Sequence, residues 1–210
     1  MLRRGLLLVV LGLVAVGVVT LVQRDVRTQE WERGGDDVTV RAEVATATPQ
    51  EFPTVLAARG GPAAEVAPRT SQAVVAHVTW QDAPAGDGTY AFVLLDDRVS
   101  PPAALRAYGS WSPGDPDGEG PHWDGRYDAL GEHYPWLAGT ESRNTGSGWT
   151  NDTDALGVPA ADAGAATLAF FLDPADPPVE RPAEDLTLAL VHVDQDGDVR
   201  WARKVPLHAG

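Results

Sequence analysis

Val38, Val40, Ala42 and Val44 alternate with Thr39, Arg41 and Glu43 along the segment DVTVRAEVAT. A period of two sends neighbouring side chains to opposite faces of an extended chain, so this segment predicts a half-buried strand. The pattern recurs in AVVAHVTWQ (73–81), where Val74, Ala76, Val78 and Trp80 share a face, and in TYAFVLLDD (89–97), where Tyr90, Phe92 and Leu94 do. It returns in ATLAFFLD (166–173), DLTLALVHVD (185–194) and DVRWARKVPL (198–207). Six such segments without a long helical periodicity predict a mainly β domain, an antiparallel sandwich-like arrangement. The runner-up is an α+β open sheet. The polar links DAPAGDG and DQDG read as hairpin turns. The proline-rich stretch 48–72 reads as a long connection, with one short extended piece at FPTVLA. From Arg98 to Ala166 the alternation dissolves into a long irregular insertion rich in Gly, Pro, Asp and aromatics.

A second pattern concerns location. Residues Gly5 to Val22 are apolar and uncharged, preceded by Arg3 and Arg4. As a helix this run reaches about 27 Å, close to the roughly 30 Å hydrocarbon core of a bilayer. A cleaved signal peptide would use small residues such as Ala15 and Gly17, but that cut falls inside the apolar run. The pattern therefore predicts an uncleaved signal-anchor, with residues 1–4 inside and the rest outside the cytoplasm. Residues 23–36 form a charged juxtamembrane stalk ending in Gly34-Gly35, and residues 37–210 the extracytoplasmic β domain with its loop 98–166.

Composition narrows the partners. Sixteen basic residues face thirty acidic ones, a net charge of −14. Such a surface repels phosphate backbones and anionic headgroups, which argues against nucleic acid and peripheral membrane docking. There is no cysteine, which excludes disulfides, thiol nucleophiles and thiolate metal sites. No cofactor is expected.

The motifs that suggest chemistry are incomplete. In DQDGD (194–198) a calcium loop starting at Asp194 would need Gly at its sixth position and Glu at its twelfth, where Val199 and Val205 stand. Asp115, Asp117 and Glu119 recur at every second residue and are the weak candidates for a cation site. Ser147 lacks the Gly-x-Ser-x-Gly elbow. His122 and His133 have no metal-ligand spacing, and His77 and His192 fall in predicted strands.

What remains is an aromatic block. Four of the seven tryptophans (Trp111, Trp123, Trp136 and Trp149) and three of the four tyrosines (Tyr108, Tyr127 and Tyr134) lie between Arg98 and Ala166. Tyr127, Leu130, Tyr134 and Leu137 follow helical spacing and are expected to face inward. Trp123, Arg126, His133 and Trp136 fall off that stripe and are the candidate ligand-binding residues. The expected role is an anchored binding or accessory module of the cell envelope, meeting a protein or glycan and not itself an enzyme. The alternatives are an envelope hydrolase using paired carboxylates such as Asp124 and Glu132, or an assembly subunit held through its membrane helix.

Overall fold

The computed structural model describes residues 35–64, 71–84, 88–98, 100, 102–113, 134–140, 155–172, 182–195 and 199–210. The chain is mainly β, with ten strands in two sheets and one α-helix among the described residues. The strands are β1 (Thr39–Ala47), β2 (Ala73–Gln81), β3 (Thr89–Asp96), β4 (Ala103–Ala104) and β5 (Arg106–Trp111), then β6 (Leu156–Pro159), β7 (Gly164–Phe171), β8 (Leu186–Val193), β9 (Val199–Val205) and β10 (Leu207–Ala209). The first sheet runs β10-β1-β2-β7-β5, and the second runs β4-β3-β8-β9 with β6 also on β3. All pairings are antiparallel except β1 with β10.

The alternation read from the sequence sets the faces. Val40, Ala42 and Val44, then Val74, Ala76, Val78 and Trp80, line the inner face of the first sheet. They share one core with Tyr90, Phe92 and Leu94 and with Leu186, Leu188 and Leu190 of the second sheet. The other face of the second sheet is apolar too: Ala91, Val93, Leu95, Ala189, Val191 and Val193 are buried beneath Leu137. Strands covered on both sides carry near-continuous apolar runs, which is why β3 and β8 read as YAFVLL and LALVHV.

Four expectations are corrected. DAPAGDG does not close a hairpin, because β2 pairs with β1 and β7 while β3 pairs with β8; the link carries the chain from one sheet to the other. FPTVLA is not extended but lies in helix α1 (Phe52–Ala58). The turn starts one step earlier, at Thr48, whose carbonyl accepts from the Glu51 and Phe52 amides. Thr48 and Glu51 form a capping box: the Thr48 amide and hydroxyl donate to Glu51 Oε2 at 3.0 and 2.8 Å, and the Glu51 amide donates to Thr48 Oγ1 at 3.3 Å. Loop 98–166 is not uniformly irregular: it supplies β4, β5 and β6 and a 3-10 helix at Pro135–Thr140. The last predicted strand splits at Pro206, which has no amide hydrogen for a ladder, and β10 crosses to the first sheet beside β1. The DQDG link does join an antiparallel pair, β8 and β9.

The N-terminal span lies outside the described residues, among which no helix is long and apolar enough to cross a membrane. Where the chain enters the domain it is held firmly. Arg203 donates to the carbonyls of Gly35 (2.8 Å), Asp36 (3.2 Å) and Val38, and Gly35 lies against the Trp201 indole.

Candidate functional site

Two elements converge on the outer face of the first sheet. One is the end of α1. Gly60 takes φ +83° and its amide bonds the Ala57 carbonyl, while the Gly61 amide bonds that of Leu56. This is a Schellman motif; the left-handed position calls for glycine, and it turns Arg59-Gly60-Gly61-Pro62 along the sheet surface.

The other element is β5. Strict alternation would send Trp111 to the same face as Ala107, which packs on the inner core. A bulge at Tyr108 intervenes: Ala107 pairs with Phe170, but Gly109 pairs with Ala169 and Trp111 with Thr167. The extra residue flips the register. Ser110 turns inward, where its hydroxyl donates to the Gly157 carbonyl at 2.9 Å, and Trp111 turns outward. Its indole folds back over Gly109, where a Cβ would come within 2.8 Å of the ring. Tyr108 stacks on Phe171 with centroids 4.3 Å apart and lies 6.2 Å from Trp111. Among the described residues it is the large apolar side chain left most open, at 42% exposure.

Between these elements lies an open cleft of about 460 Å³. Arg59 to Pro62 form one wall and Trp111 to Pro113 the other; His77, Ala165, Ala166 and Thr167 complete the lining. Thr167 is 3% exposed and donates its hydroxyl to the Arg59 carbonyl at 2.5 Å, tying the helix end to β7. With that proton committed, Thr167 Oγ1 can only accept from His77 Nδ1, 3.4 Å away. Arg59 Nε is buried with no acceptor, and Arg59 has no ion-pair partner among the described residues. Its guanidinium reaches across the sheet to Gly210, where a Cβ would come within 2.6 Å of Nη2. Among the described residues the lining contains no carboxylate.

The residues singled out from the sequence distribute differently. Trp123, Arg126 and His133 lie outside the described residues, as do Asp115, Asp117, Glu119, Asp124, Glu132 and Ser147. Trp136 is half-buried against the outer face of the second sheet, with Lys204 Nζ 5.2 Å from its ring centroid. Its neighbours Tyr134 and Leu137 face the same surface, while Tyr127 and Leu130 lie outside the described residues. Trp111 and Trp136 thus sit on opposite sides of the molecule. His77 and His192 do not meet: His77 lies on the outer face of the first sheet, and His192 is 7% exposed beside Tyr90 and Trp201. Among the described residues no three His, Asp or Glu side chains converge as metal ligands. Arg59, His77 and Tyr108 were not candidates from the sequence; the capping pattern TPQE and the glycine pair after Ala58-Arg59 were the signals that could have located the first.

Neither the protein-family models nor the curated proteins compared with this chain give a match.

Proposed function

We propose that this chain is a membrane-anchored, extracytoplasmic binding or accessory module of the cell envelope. The apolar run Gly5–Val22 holds it in the membrane with the N-terminus inside, and the outer face of its first sheet meets an envelope protein or glycan. The observation that carries the reading is the Tyr108–Trp111 pair: a β-bulge turns Trp111 away from the inter-sheet core to line an open cleft, and Tyr108 next to it is 42% exposed. Tyrosine and tryptophan are enriched where proteins make contacts. The fold we propose is a sandwich of immunoglobulin type. Its support is the strand order, in which β1-β2-β7-β5 follows A-B-E-D and β3-β8-β9 follows C-F-G.

A photoreactive residue placed at Ser112 tests this in intact cells, with exposed Glu184 as the control position. Adducts from position 112 and none from position 184 are expected, together with digestion of the β domain by protease added outside the membrane. Equal labelling from both positions, or a protected domain, would count against the reading.

A further inference from the structure

We draw no further inference here: the strongest candidate, the row of His77, Glu43 and His208 that strand register sets side by side on β2, β1 and β10, carries nothing because its side chains do not converge on a point where a metal ion could sit.

Discussion

The two outer faces of this molecule are treated differently, and the difference explains where its candidate site lies. On the second sheet, Ala91, Val93 and Leu95 and their β8 neighbours are covered by Leu137, with Tyr134 and Trp136 packed around it. On the first sheet, α1 lays Phe52 and Leu56 over Ala73, Val75, Ala169 and Phe171 and then stops. Along β2 the outer side chains go from buried Ala73 and Val75 through half-buried His77 to exposed Thr79 and Gln81. A short helix closed by a glycine turn covers half a sheet, and the cleft begins where the cover ends. Both covers bury apolar surface, and the first leaves a shaped edge with polar groups beside it.

This contrast can be broken at either cover. Phe52→Ala should cost about 3–5 kcal/mol, because a fully buried ring in edge contact with Tyr108 and Phe171 is lost. Leu137→Ala should cost about 2–5 kcal/mol on the opposite face. Urea unfolding measures both, and an effect of Leu137→Ala below roughly 1 kcal/mol would show that the second cover is not integral to the fold. Gly60→Ala should follow at about 1–2 kcal/mol, since φ +83° strains any residue with a Cβ. Gly60 has room for a methyl group, so a neutral Gly60→Ala would mean the helix end is laxer than drawn.

Two titrations sharpen the comparison with smaller effects. Tyr90 lies in the core shared by both sheets, fully buried and with no partner for its hydroxyl, and burial pushes its pKa up to about 12 from an ordinary 10.0. A raised folded pKa means the stabilising contribution is complete below pH 10 and is lost as pH rises towards 12. Tyr90→Phe should remove that alkaline loss and change stability at neutral pH by about 1 kcal/mol or less. If the loss persists in Tyr90→Phe, another group governs it. Glu51 works the other way, and only on the first face. The Thr48 amide and then its hydroxyl hold the Glu51 carboxyl below its ordinary 4.5, so its contribution is present above that value and fades as pH falls through the lowered one. Acidification should therefore raise amide exchange in α1 before it does in the second cover. Glu51→Gln should flatten that acid response slightly, and an unchanged response would remove the capping box from the account.

Much of the fold was legible because burial leaves a periodic mark. β1, β2 and β8 match the alternating segments within a residue or two, and the faces assigned to Val74, Trp80, Tyr90 and Leu94 are the inner ones. The helix was missed because its two prolines outweighed TPQE, although Pro49 sits in the first turn of the capping box, where a missing amide hydrogen leaves no bond unmade. β5 was missed because a bulge interrupts its alternation, leaving no clean period in RAYGSW. The candidate site suffered most. Its polar members come from α1, β2 and β7, and Trp111 qualifies only after a register shift made against β7.

The sequence alone therefore determined which segments are extended and which side chain of each points inward, because both are local consequences of a two-residue repeat. It determined the absence of thiol chemistry and the acidic surface as well. Only the tertiary structure decided which strand pairs with which: an apolar face matches any other apolar face, and the choice between a hairpin and a crossing to the second sheet depends on how all the strands pack together. The same holds for the cleft. Arg59, His77 and Trp111 have no shared pattern along the chain, and what sets them side by side is the turn after α1, the bulge in β5 and the packing of β2 against β7.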